Sequence, residues 1–168
     1  MFKKGYVILG ILFSVGLGVL LHFVYEWSGY NKAIGYISAV NESTWEHLKL
    51  LFIPVTLFTI VHWIFGGRKN PAFLLARTIS LIFGMIWIVT AFYTVSGITG
   101  KTDMTVVNIS IFVIGVIITF VLTEIIMKSI FNAPRYSDAI AIVLLIIFAL
   151  LFTVWTYDPP SIGLFKQP

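Results

Sequence analysis

The chain carries two groups of ionisable side chains that could together bind a metal ion. His22 and Glu26 stand four residues apart, so they share one face of a helix. Glu42, Glu46 and His47 follow within one short polar stretch between two apolar segments. Imidazole nitrogens and carboxylate oxygens are zinc ligands, and zinc takes about three or four of them from a protein. The sequence therefore predicts a divalent metal site, with zinc as the favoured ion, on His22, Glu26, Glu46 and His47.

Two carboxylates of the polar stretch, Glu42 and Glu46, are also predicted to be catalytic. Glu42 could act as a base beside a metal-bound water. Other polar residues are predicted to support the ligands or to relay protons: Asn41, Tyr25, Lys49, His62 and Glu124. The chain lacks the HExxH, nucleophilic-serine, phosphate-binding-glycine and dinucleotide-binding motifs, so no known catalytic spacing narrows the reaction.

A plainer explanation of the polar stretch involves helix capping alone. Ser43 and Glu46 fit a capping box, in which each side chain bonds the other residue's backbone N–H. Carboxylates such as Glu42 and Glu46 are also stabilised near a helix N-terminus by the helix dipole. The sequence leaves open whether these residues cap a helix or bind a ligand.

The composition indicates that the protein is embedded in a lipid membrane. Of 168 residues, 59% are apolar and 11% are charged, and the mean hydropathy is +1.00. An ordinary soluble domain has about 25% charged residues, and a chain this short cannot bury so much apolar surface in one core. The net charge of +4 comes from basic residues between apolar segments, which favours membrane topology over nucleic-acid binding. The absence of cysteine excludes disulfides and thiolate metal sites.

Five apolar segments are each long enough to cross about 30 Å of hydrocarbon at about 1.5 Å per residue. They cover residues of about 5–25, 43–65, 71–95, 104–127 and 138–157. The sequence therefore predicts an all-α integral membrane protein, a bundle of five transmembrane helices forming a single domain over residues 1–168. In the first segment Gly10, Ser14 and Gly18 recur every four residues and lead to His22, which predicts a helix-packing stripe.

Basic residues predict the orientation of the bundle in the cell membrane. One side would carry Lys3, Lys4, Arg68, Lys69, Arg77, Lys128 and Arg135, and the other Lys32, Lys49, Lys101 and Lys166. Because the positive side of a membrane protein faces the cytoplasm, the N-terminus is predicted inside and the C-terminus outside.

Two motifs carry a resemblance to a known family. They are the segment His22-Phe23-x-Tyr25-Glu26-Trp27 and the string Asn41-Glu42-Ser43-x-Trp45-Glu46-His47-x-Lys49-Leu50. With the closing Pro159-Pro160-x-Ile162-x-Leu164-Phe165, they resemble a family of small bacterial multi-pass membrane proteins of unknown function. The resemblance implies class and topology, and it implies no activity.

Three functions remain open at this level. The first is a metal-dependent membrane enzyme, a hydrolase of a lipid or another amphiphile. The second is a small oligomeric transporter or channel component in which His62 and Glu124 form an ion-linked or proton-linked relay. The third is a structural or accessory protein without a ligand. The predicted partners are the lipid bilayer and either a second copy or another membrane protein, and no nucleic acid.

Overall fold

The computed structural model describes residues 4–130, 134 and 136–167, and within these ranges it contains helices and turns and no strand. The described residues form six α-helices: α1 (Lys4–Trp27), α2 (Lys32–Gly35), α3 (Thr44–Phe65), α4 (Phe73–Thr99), α5 (Thr105–Ser129) and α6 (Ser137–Tyr157). Two short 3-10 turns, Gly67–Lys69 and Gly163–Phe165, follow α3 and α6.

All helices except α2 are long and apolar enough to span a membrane. This result confirms the predicted fold class, an all-α protein with five such helices. More than half of the apolar window of α3 and of α4 is buried (56% each), against 22% in α1 and 17% in α6. α3 and α4 therefore form the centre of the bundle, and α1 and α6 present most of their surface outward.

The third predicted segment, of about 71–95, is shorter than the helix that the structure shows there. α4 ends at Thr99 rather than near residue 95, and Gly97 lies inside it. The helix stops at Gly100, whose left-handed backbone (φ 66°) lets its N–H bond the carbonyl of Ser96. Such a C-terminal glycine is a stronger stop than a glycine within a helix, because only the former needs a positive φ.

Successive long helices run in opposite directions, so the helix ends gather in two groups. We call the site end the group at which these terminal residues lie: Trp27, Thr44, Thr99, Thr105 and Tyr157. The opposite group is called the far end. Between them the core is apolar, with Leu51, Val55, Val116 and Phe120 fully buried.

Small residues allow α4 and α5 to form the most extensive helix pair. A Cβ atom at Gly84 would lie 2.9 Å from the carbonyl oxygen of Gly115 and would overlap the Thr119 hydroxyl. The two backbones therefore approach each other more closely than any larger residue at position 84 permits.

The stripe predicted on α1 faces α3, as its small residues require. A Cβ atom at Gly10 would lie 2.7 Å from the Phe58 ring, and one at Gly18 would lie 2.7 Å from the carbonyl oxygen of Leu50. That carbonyl has no helical N–H partner, because residue 54 is a proline inside α3. Gly18 packs directly over this carbonyl, which lacks a hydrogen bond within the helix. The same packing directs His22, the next residue of the stripe, toward the start of α3.

Candidate functional site

Three side chains from two helices and a connection converge at the site end. A ligand atom of His22, one of Glu42 and one of His47 all lie within 4.8 Å of one another. The imidazole centroids of the two histidines are 5.3 Å apart. His47 Nε2 lies 3.5 Å from Glu42 Oε2. We call these three residues the His–Glu–His cluster.

Backbone contacts determine which nitrogen of His47 faces the cluster. His47 Nδ1 lies 2.9 Å from the carbonyl oxygen of Ser43, one turn earlier. A carbonyl only accepts hydrogen bonds, so Nδ1 carries the proton, and in the neutral ring Nε2 keeps its lone pair. That lone pair then points to a carboxylate oxygen of Glu42, another acceptor. Two facing acceptors at 3.5 Å require a positive charge between them, either a proton or a metal ion.

His22 brings a third nitrogen-bearing ring to the same place. Its Nδ1 atom is buried and has no hydrogen-bond partner among the residues that the structure describes. A buried ring nitrogen without a partner is costly, unless a proton donor, a water or a metal satisfies it. The His–Glu–His cluster thus contains the donor set of a zinc site, two imidazoles and one carboxylate.

The connection from α1 to α3 holds Glu42 in this position. The Ser38 hydroxyl donates to the Leu21 carbonyl oxygen and accepts from the Tyr25 backbone N–H, on either side of His22. Further along, the Asn41 side chain accepts a hydrogen bond from Ser43 N at 2.9 Å. Asn41, predicted to support the site, therefore shapes the turn that presents Glu42.

Glu46, predicted to be a metal ligand and a catalytic residue, lies in a buried ion pair and is not one of the three converging residues. Its carboxylate is 2.6 Å from Lys49 Nζ, and the two side chains are 1% and 0% exposed. Lys49 Nζ also donates to the Gly35 carbonyl and to Thr156 Oγ1, at 2.8 Å each. Glu46 Oε2 accepts from Val40 N at 2.9 Å. Glu46 and Lys49 thus tie the connection to α3 and α6.

The predicted capping box is only half present. Ser43 is the N-cap of α3, and its hydroxyl accepts a hydrogen bond from Glu46 N. The reciprocal bond is absent, because Ser43 N bonds Asn41 and the Glu46 side chain bonds Val40 and Lys49. The Glu46 carboxylate bonds the Lys49 ammonium rather than the Ser43 backbone N–H, because a hydrogen bond from an ionised donor is the stronger one.

The remaining predicted site residues lie away from the cluster. Glu26 is exposed near the end of α1 and is not one of the three converging residues. The Tyr25 ring packs edge-on against Tyr30, at 5.5 Å between centroids. At the far end, the His62 ring stacks on Tyr6, and Glu124 is a charged neighbour of buried Arg77. His62 and Glu124 are therefore separated from the cluster by the apolar core.

A cavity of about 590 Å³ opens beside the cluster, between α1, α3, α4 and α5. All three cluster residues are on its wall. Most of the other lining residues are apolar, and Asp103 and Asn108 add polar groups from the turn and helix after α4. Sequence reasoning missed these two residues, although their position just before the fourth apolar segment and near its start placed them at the same membrane depth as the cluster.

Together, five helices of membrane-spanning length and a His–Glu–His cluster on a cavity define a helical multi-pass membrane protein with a candidate metal centre. The chain matches the family of unknown function DUF6512 over residues 2–168, and it belongs to that family. No curated protein and no solved structure matches the chain. The predicted resemblance to a family of unknown function is confirmed by this match. That the two motifs are characteristic of the family, and that the family is bacterial, stay predictions.

Proposed function

We propose that this protein is a membrane metalloprotein that binds one divalent ion, preferably zinc, through His22, Glu42 and His47. The observation that carries the proposal is the geometry of His47, whose Nε2 lone pair faces Glu42 at 3.5 Å with His22 alongside. Two histidines and one glutamate are the ligands of several catalytic zinc sites, which keep a fourth position open. In this set Glu42 is a ligand, and Glu26 and Glu46 are outside it.

The position of the cluster on the cavity wall favours a reactive ion over a structural one. Structural zinc sites are closed by four protein ligands, whereas three ligands leave room for water or a substrate. A bound zinc would lower the pKa of such a water and polarise a carbonyl oxygen in the cavity. The hydrogen bond from His47 Nδ1 to Ser43 O would orient the ligand, as backbone carbonyls do in other metal sites.

Metal titration tests this proposal, with the protein purified through an affinity tag that contains no histidine. We expect one zinc per chain by elemental analysis and calorimetry, with weaker binding at acidic pH, because protons compete for the ligands. Loss of an outer partner of a metal ligand lowers affinity about 10–100-fold, so His22→Ala, Glu42→Ala and His47→Ala should each lower it more than about 100-fold.

Glu26→Ala is the matched control, because Glu26 belongs to the same end of α1 but lies outside the cluster. Its zinc affinity should equal that of the unchanged protein. Absence of stoichiometric zinc, manganese or iron would overturn the proposal and indicate that a proton lies between His47 and Glu42. Equal losses in Glu26→Ala and His22→Ala would contradict the assigned ligand set.

We further propose that residues 1–168 form one domain in the cell membrane, with the site end outside. Of the basic residues counted above, those at the far end outnumber those at the site end by seven to four, counted on the printed sequence. Lys3 and Arg135, which belong to this count, lie outside the described residues. The His–Glu–His cluster would then take its metal from the exterior or the periplasm. Association with a second copy or another membrane protein stays a prediction.

The absence of cysteine allows a direct test of this orientation. Ser161→Cys places a thiol beyond α6 at the site end, and Ser129→Cys places one at the last residue of α5, at the far end; both serines are exposed. In intact cells a membrane-impermeant maleimide should label Ser161→Cys and should label Ser129→Cys only after permeabilisation. The reverse pattern would show that the site end faces the cytoplasm.

A further inference from the structure

Part of the wall of the cavity beside the cluster is formed by exposed apolar side chains of α1 and α5. Val19 and Phe23 on α1 and Ile109 on α5 all line it, and they are 44%, 42% and 52% exposed. These residues lie within helices of membrane-spanning length, so the opening between α1 and α5 faces the hydrocarbon of the bilayer. A molecule dissolved in the membrane can therefore reach the cluster without crossing water.

The interior of the cavity suits a hydrocarbon chain. Leu50, Ile88, Phe92 and Phe112 form apolar walls behind the opening. The volume of about 590 Å³ falls within the range of about 300–1,000 Å³ that is typical of small-ligand sites. Since the cluster is on the wall near the ends of the helices, a chain lying in the cavity would bring its head group to the metal.

The net charge of the metal site limits which head group of a bound molecule is favoured. A zinc ion with the Glu42 carboxylate carries one net positive charge, at a place where the Glu42 side chain is 63% exposed and the His47 side chain 35% exposed. One carboxylate neutralises it. A phosphate monoester carries nearly two negative charges, so Asp103, which lines the same cavity, would repel it more strongly than a carboxylate. The electrostatics thus favour a carboxylate over a phosphate monoester.

We propose that the cavity binds a long-chain carboxylate, with the chain between α1 and α5 and a carboxylate oxygen on the open metal position. The inference rests on the proposed metal site, because the metal supplies the attraction for the head group. The chain itself contributes little selectivity, since it moves from lipid into walls of similar polarity. Occupancy should therefore depend on the metal more strongly than on chain length.

Photolabelling in phosphatidylcholine nanodiscs tests the inference. The probe is a 16-carbon carboxylic acid with a diazirine in its chain, and the labelled residues are located by mass spectrometry. We expect labels at cavity-lining residues of α1 and α5, reduced at least about tenfold by stripping the metal. Excess palmitate should compete, and hexadecyl phosphate should compete more weakly. Acetate should not compete, because without a long apolar chain it does not concentrate in the bilayer from which the cavity is filled.

Two tryptophan substitutions on α5 separate the cavity from the general lipid surface. Ile109→Trp would fill the opening and should abolish the localised labelling while leaving zinc affinity unchanged. Ile114→Trp is the control, because Ile114 is 40% exposed on the same helix but does not line the cavity. It should change neither labelling nor zinc binding.

The outcomes distinguish this inference from the proposed metal site. Normal zinc binding with labels spread over all lipid-facing helices, or with labelling unaffected by Ile109→Trp, would overturn the inference alone. Stronger competition by hexadecyl phosphate than by palmitate would overturn the carboxylate assignment. Failure of the separate zinc titration would overturn the metal site itself. Cavity labelling that persists at full strength after the metal is stripped would overturn the placement of the carboxylate on the metal.

Discussion

Lys49→Met is expected to lower the free energy of unfolding by about 3–5 kcal/mol, because it leaves a buried carboxylate without its counter-charge. Glu46 is 1% exposed and lies 2.6 Å from Lys49 Nζ, so water cannot replace the lost ammonium group. The substitution also removes the donors to Gly35 O and Thr156 Oγ1. Thermal unfolding in detergent, followed by tryptophan fluorescence, should show a midpoint lower by on the order of 10 °C.

Two controls identify the buried charge as the cause. In the double variant Lys49→Met/Glu46→Gln neither position carries a buried charge, so much of the lost stability should return, as in other proteins whose buried ion pairs are replaced together. Lys101→Met removes an exposed lysine at the same end and should change stability by less than about 0.5 kcal/mol. A single Lys49→Met variant as stable as the unchanged protein would contradict the buried pair.

Gly84→Ala is expected to destabilise the bundle, although alanine is the better helix former. The added Cβ would lie 2.9 Å from the Gly115 carbonyl oxygen and would overlap Thr119 Oγ1. A backbone oxygen cannot move aside as a flexible side chain does, so α4 and α5 must separate. Overpacking of this kind costs about 1–3 kcal/mol in well-packed interiors.

The same substitution at Gly97 should change the stability in the opposite direction. Gly97 is also in α4, but it is exposed and a Cβ there would meet no atom within 4 Å. Gly97→Ala should therefore raise helix stability by about 0.5–1 kcal/mol. Thermal midpoints of the two variants, measured side by side, check both signs. A stabilised Gly84→Ala would show that α4 and α5 are not in close contact at this point.

The membrane-spanning helices could be predicted from the sequence because lipid imposes a minimum length on every apolar segment. The stripe of Gly10, Ser14 and Gly18 likewise indicated how α1 packs, since small residues at helical spacing mark a close approach. The meeting of His22 with Glu42 and His47 follows from these two features, because they bring the end of α1 and the start of α3 to one depth.

The assignment of individual carboxylates could not be predicted in the same way. Glu42 and Glu46 are both near the start of α3, and either could face α1 by helical spacing. The buried ammonium of Lys49 decides between them, because it binds Glu46 and leaves Glu42 to the histidines. Which side of α3 this lysine occupies depends on α6 and Thr156, more than a hundred residues later in the chain. The sequence alone contains no local signal of that contact.

The Ser38 hydroxyl has a consequence for how the chain can change in length. It bonds the Leu21 carbonyl and the Tyr25 N–H, so it fixes one point of the connection against the turn of α1 that carries His22. Residues between α1 and α2 can be inserted or deleted without shifting that point or the Gly35 carbonyl that accepts from Lys49. Between Ser38 and His47 the same change would move Glu42 along the helix ends. In family members that keep the cluster, variation in loop length should therefore be confined to the first part of this connection.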